Sequence, residues 1–276
     1  MITKITEKLD YNSPTTSSHP DKSGRAPEKS EKAPKKGEFN IKVEEMSKVG
    51  LQFGHKTSKG HPKMQPYISG ARNTVHLIDL EKTAAKFKEA LRFIQEVIIK
   101  GGKILFVGTK IQSRELTKNT AIECDQPYVI NRWLGGTFTN FEIIKKRVEY
   151  FKDLEKKKAE GELEKYTKKE RARIDKEIQE LETKFGGIKE MAKLPQAVFV
   201  LDMKKDETAV KEAKEKGVKV IGVSDTNCDP TLADYPIPAN DDAISSIKYI
   251  LEKVKEAIIK GKPEIRSPKS EKSPND

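Results

Sequence analysis

Three short runs of this chain are built almost wholly of apolar residues: Lys103-Ile-Leu-Phe-Val107, Ala197-Val-Phe-Val-Leu201 and Val218-Lys-Val-Ile-Gly-Val223. Strands with one wet face alternate apolar and polar, so near-continuous Val, Ile, Leu and Phe means burial on both faces, as in a parallel sheet covered by helices. The intervals between the runs carry helical spacing. From about Glu81, the residues Ala84, Phe87, Leu91, Ile94 and Ile98 recur at intervals of three and four, and Gly101-Gly102 supplies a stop. Further helices are expected at about Ser113–Glu123, Glu207–Lys216 and Asp241–Lys260. Strands are expected at Val75–Ile78 and Tyr128–Ile130, with a short one at Tyr235–Ile237. The pattern predicts a doubly wound α/β core.

An insertion of different character separates Ile130 from Ala197. Phe141, Ile144, Val148, Phe151 and Leu154 form one seam, and Ile174, Ile178, Leu181 and Phe185 a second, on segments otherwise dense in Lys and Glu. Thr167 and Glu170 stand three apart, as a capping box requires. Two narrow seams of this kind predict an antiparallel coiled-coil helical hairpin over residues 141–185, with the α/β core spanning 39–140 and 186–262. Residues 1–38 and 263–276 mix Pro, Ser, Lys and Glu with almost no apolar periodicity, and both are expected to be disordered tails.

Charge narrows the function. The 276 residues hold 54 Lys and Arg against 43 acids, a net of +11. Such a balance suits a protein that sits on a polyanion. The excess is concentrated. From Met46 to Ile78 there is no Asp or Glu, yet the stretch holds Lys48, Lys56, Lys59, Lys63 and Arg72, and three of the four histidines. Its Gly, Ser, Thr and Pro spacers let cations and backbone N–H groups approach a phosphate chain together. Phe53, Tyr67 and Ile68 are expected to pack against the core, which leaves the cations as the contact surface. Asn131-Arg-Trp-Leu-Gly-Gly136 is a second candidate: Arg132 pairs a phosphate or serves structure equally well, whereas Trp133 and Gly135 read better as the base of the hairpin.

Enzyme chemistry finds little support. No run is apolar enough to span a bilayer or act as an export signal, and Cys124 and Cys228 are isolated, so a reducing cytoplasm is expected. Neither phosphate-cradle glycine motif occurs, and His55, His61 and His76 lack metal-ligand spacing. Asp202 and Asp225 each follow a strand and could converge on a hard cation such as magnesium, although capping of turns is the simpler reading. No metal and no cofactor is expected. The competing reading is a flavodoxin-like, metal-dependent enzyme that acts on a phosphorylated substrate through these two carboxylates.

Several blocks resemble a known family. They include Phe53-Gly-His-Lys-Thr57, Pro62-Lys-Met-Gln-Pro-Tyr-Ile68, Gly70-Ala-Arg-Asn73, His76-Leu-Ile-Asp-Leu-Glu-Lys-Thr83, Asn131-Arg-Trp-Leu-Gly-Gly136, Phe185-Gly-Gly-Ile188 and Asp225-Thr-Asn-Cys-Asp-Pro230. Over residues 40 to 260 they resemble the universal small-subunit ribosomal protein numbered two, in its bacterial form. The resemblance implies a flavodoxin-like domain with a coiled-coil insertion and a structural, non-catalytic role in the small ribosomal subunit. It further implies partners: ribosomal RNA and neighbouring small-subunit proteins, including recruitment of ribosomal protein one, with no membrane and no stable homo-oligomer. On this reading Lys56, Lys59, Lys63, Arg72 and Asn73 are expected to bind RNA, with Lys110 and Arg132 as further candidates, and the site is the cytoplasmic ribosome.

Overall fold

A computed structural model describes residues 39–262; the two expected tails, 1–38 and 263–276, lie outside the described residues. The first elements are a short helix, α1 (Val43–Lys48), and three strands, β1 (Phe53–Lys56), β2 (Ile68–Arg72) and β3 (Val75–Ile78). These strands form their own antiparallel sheet in the order β1-β3-β2. Val75–Ile78 is therefore a strand, but it does not open the parallel sheet as the alternating pattern suggested. Pairing of Arg72 with Val75 leaves only Asn73 and Thr74 as the connection, too short for the crossover that a parallel pair needs.

The main sheet follows. Helix α2 (Leu80–Ile99) leads to β4 (Ile104–Val107), α3 (Arg114–Glu123) and β5 (Tyr128–Val129). After the insertion, which comprises α4 (Phe141–Ala159) and α5 (Lys168–Phe185), come β6 (Ala197–Val200), α6 (Glu207–Glu215), β7 (Lys219–Ser224), β8 (Tyr235–Pro238) and α7 (Ile244–Gly261). All neighbouring strands are parallel, in the order β5-β4-β6-β7-β8. That is the doubly wound, flavodoxin-like order.

The apolar runs are buried on both faces because alternate residues serve two cores. Ile104, Phe106, Phe199 and Ile221 join Phe87, Leu91 and Ile94 of α2 and Ile250 and Val254 of α7. Leu105, Val107, Val198 and Val220 face the other way, onto Val210 and Ala213 of α6 together with Trp133, Phe138, Val148 and Phe185. Phe106 and Phe199 pack across adjacent strands with ring centroids 5.5 Å apart.

Helices α4 and α5 lie side by side with opposed chain directions. Tyr150 donates to Glu177 at 3.0 Å, and Lys158 pairs with Asp175 at 2.7 Å. Thr167 accepts the Glu170 N–H while the Glu170 carboxylate accepts the Thr167 N–H, so the capping box is formed. Where this pair meets the core, Trp133 stands edge-on to Phe138 at 5.0 Å. The buried Glu212 of α6 accepts from the Trp133 indole and the N–H groups of Gly136 and Phe138. This carboxylate binds the loop before α4 to the second layer.

Candidate nucleic-acid interface

The acid-free stretch folds into the antiparallel sheet, and its turns explain how the cations are displayed. Asn73 and Thr74 both have positive φ, 49° and 63°, the geometry of a tight two-residue hairpin. Asn tolerates that region; a β-branched Thr does not readily. Thr74 is held there by its carbonyl, which accepts the Thr57 N–H at 2.8 Å, and by its hydroxyl, which donates to the Asn73 carbonyl at 2.6 Å. The turn after β1 and the hairpin tip are thus locked together, so Lys56, Lys59 and Arg72 sit on one braced element.

That element docks on the loop after β7, at the carboxyl edge of the parallel sheet. Thr226 accepts the His55 N–H through its hydroxyl at 2.9 Å and the His61 N–H through its carbonyl at 2.8 Å. Gly54 makes the approach possible: a Cβ there would lie 2.5 Å from the Thr226 methyl. The Asn240 N–H donates to the Leu51 carbonyl at 3.1 Å. Phe53, expected in the core, is instead 47% exposed, because β1 is an edge strand with one face turned to solvent; Tyr67 and Ile68 are half-buried.

The expected contacts separate into four groups. Lys56, Lys59, Arg72 and Asn73 are exposed, and among the described residues none of the three cations has a carboxylate partner. Lys63 is exposed but engaged, with Asp229 at 2.7 Å and Thr231 at 3.2 Å. Burial pulls the Asp229 carboxyl up, but the bonds from Lys63 and Thr231 outweigh it and bring it down to about 2. Arg132, exposed and without an ion pair among the described residues, follows β5. It is removed from the β7 loop by three strand spacings, about 14 Å.

Lys110 departs most from its expected role as an RNA contact. Its ammonium pairs with Asp242 at 2.7 Å, Asp241 at 2.9 Å and Asp202 at 3.2 Å, and the side chain is 18% exposed. Burial alone would lower its pKa; the Asp242 and Asp241 carboxylates reverse that and raise it. Three donors facing three acids leave nothing for a phosphate. The lysine is an internal strut at the carboxyl edge.

The same edge holds a cluster that sequence reasoning largely missed. His55 Nδ1 is 3.0 Å from Asp225, and its Nε2 is 3.4 Å from Asp242. His55, Asp225, Asp241 and Asp242 bring one potential ligand atom each to within 4.8 Å of one another, so they are the described residues able to share a cation. Asp202 is not among them: it accepts the Lys204 and Lys205 N–H groups at 3.0 and 2.8 Å, the turn-capping role that was the simpler expectation. The adjacent acids Asp241 and Asp242, just beyond an apolar strand, were the available signal for the cluster.

Comparison with known proteins decides the family. A family profile described as Ribosomal protein S2 matches residues 46–261. This chain belongs to the ribosomal protein S2 family. A relative named small ribosomal subunit protein uS2, from Roseiflexus castenholzii (strain DSM 13941 / HLO8), is 49% identical over 222 residues, covering 80% of this chain and 84% of the relative. One of the same name from Chloroflexus aggregans (strain MD-66 / DSM 9485) is 45% identical over 221 residues, covering 80% and 93%. Membership of the S2 family places the chain among ribosomal proteins and not among enzymes. It also agrees with the flavodoxin-like strand order. No helix among the described residues is long and apolar enough to cross a membrane.

Proposed function

We propose that this chain is a structural component of the small ribosomal subunit that binds ribosomal RNA through the antiparallel sheet β1-β3-β2. The observation that carries the reading is a braced group of cations with no acid among them in sequence. Lys56, Lys59 and Arg72 come from the acid-free stretch, have no carboxylate partner among the described residues, and are held together by the Thr57–Thr74 backbone bond, whereas Lys110 is spent on three acids. Unpaired cations on a braced hairpin suit a phosphate backbone, which is bound through charge and shape without reading bases. Asn73 at the tip and Lys63 beside Asp229 extend the contact.

The names of the relatives support the small-subunit assignment, and with it a cytoplasmic, ribosome-bound location. Neighbouring small-subunit proteins, including ribosomal protein one, belong to the same proposal, as does a role for α4 and α5 as a coiled-coil arm. The metal-dependent enzyme reading loses one of its two carboxylates, since Asp202 is committed to turn amides and Lys110, and the family is ribosomal.

The test is a Lys56→Glu, Lys59→Glu, Arg72→Glu triple variant. Its residues are exposed and, among the described residues, without a carboxylate partner, so the melting temperature should match that of the parent. In cells it should be depleted from small subunits in sucrose gradients. With an isolated RNA fragment, the dependence of log K on log salt should shallow by roughly two to three, since each phosphate left without its cation takes about 0.7–0.9 off the slope. Co-sedimentation equal to that of the parent would show that this sheet is not the RNA surface.

A further inference from the structure

A polar cavity of about 220 Å³ opens between α3, the loop after β5 and the end of α5. Its lining brings Lys118, Arg132 and Lys184 together from three separate elements, with Glu182 as the one acid. Among the described residues, Lys118 and Arg132 have no ion pair, and Lys184 pairs only with Glu180, at 3.7 Å, where both side chains are half-exposed. The floor is preorganised. Asn131 Nδ2 donates to the Thr183 carbonyl at 2.9 Å, which fastens the Asn131-Arg132 segment to α5. Gly187 packs so tightly on β5 that a Cβ would lie 2.1 Å from the Tyr128 carbonyl oxygen.

The geometry points to a second oxyanion site here, one that takes a phosphate group. Even with Glu180 set against Lys184 and Glu182 in the lining, three cations against two acids leave a net positive charge, and among the described residues Lys118 and Arg132 have no ion pair. One arginine and two lysines lining a single cavity form a donor set suited to a tetrahedral oxyanion. The volume is below the roughly 300 Å³ at which small-molecule pockets usually begin, so it suits a phosphate with one ester arm better than a whole nucleotide. The site stands about 14 Å of sheet away from the loop that carries β1–β3, so it is separate from the surface proposed above and does not rest on that reading. The phosphate can come from an RNA backbone or from a free phosphate compound. The chemistry is the same, and the experiment separates the two.

The full chain is titrated calorimetrically with pyrophosphate and, separately, with a 20-base-pair RNA duplex. Four proteins are compared: the parent, Lys118→Gln/Lys184→Gln, a control with the same charge change at exposed positions of α5 (Lys168→Gln/Lys176→Gln), and Lys56→Gln/Lys59→Gln on the antiparallel sheet. Pyrophosphate should bind the parent, weaken at least tenfold in the cavity variant and stay within twofold in the other two. If duplex binding also falls in the cavity variant beyond the control, RNA supplies the phosphate; if it does not, a free phosphate compound does. Loss of duplex binding confined to Lys56→Gln/Lys59→Gln concerns only the first surface. The inference is overturned if cavity variant and control bind both ligands alike, or if pyrophosphate fails to bind the parent and duplex affinity ignores the cavity residues.

Discussion

Glu212 offers the sharpest test of how the fold holds its insertion. Its Oε1 accepts from the Trp133 indole at 3.2 Å and the Gly136 N–H at 2.7 Å; its Oε2 accepts from the Phe138 N–H at 2.9 Å and the Thr139 N–H at 3.3 Å. Burial pushes this carboxyl up, yet the Phe138 and Gly136 amides and the indole outweigh it, and the net direction is down. In Glu212→Gln the side-chain oxygen can serve one pair of donors, but the new amide NH2 faces the other pair, donor against donor. Two amides without acceptors cost about 1–3 kcal/mol each, so the substitution should remove about 2–6 kcal/mol. For a domain of this size that is a fall of roughly 5–15 °C in melting temperature. Urea unfolding followed by the fluorescence of Trp133, the only tryptophan, reads stability and the local environment together. A loss below about 1 kcal/mol with unchanged emission would refute the argument, because it would mean that the loop amides are satisfied without this carboxylate.

Other outcomes follow from single groups. Burial pushes the Asp206 carboxyl from 3.8 up to about 6 against the opposing bonds from Thr109. Between about pH 4 and 6 the folded chain therefore keeps a proton that the unfolded chain has released, so this contribution is complete below pH 4 and lost as pH rises through 6. Asp206→Asn should flatten that fall and stabilise the protein at pH 7 by about 1–3 kcal/mol, from a shift of about two units; parallel stability–pH curves for parent and variant would refute it. Gly187→Ala forces a Cβ to 2.1 Å from a backbone oxygen that a side-chain rotation cannot relieve, and should cost at least about 1–3 kcal/mol in thermal unfolding. Thr167→Ala removes the capping box of α5, and amide exchange in its first turn should accelerate on the order of fivefold while core amides keep their protection.

Residue types alone determined the parallel sheet. Ile104 to Val107 and Ala197 to Val200 have no polar face to show to water, and such a strand is stable only between two layers. The helical stripe of α2 and the Thr167 capping box were legible for the same reason: each depends on neighbours within a turn or two, and sequence spacing reports these directly. The acid-free stretch was legible as a field of one sign, but not as a sheet, since its strands pair only after the Asn73-Thr74 turn folds them back. What tertiary structure decided is which charges remain available. Lys110 and Arg72 read alike along the chain, yet Asp241, 131 positions from Lys110, engages one while nothing described engages the other. Lys118 and Lys184 gave no signal at all until α3 and α5 were brought to one cavity. A cation's availability is set by what lies across the fold within a few ångströms, because Coulomb attraction depends on distance in space and not along the chain.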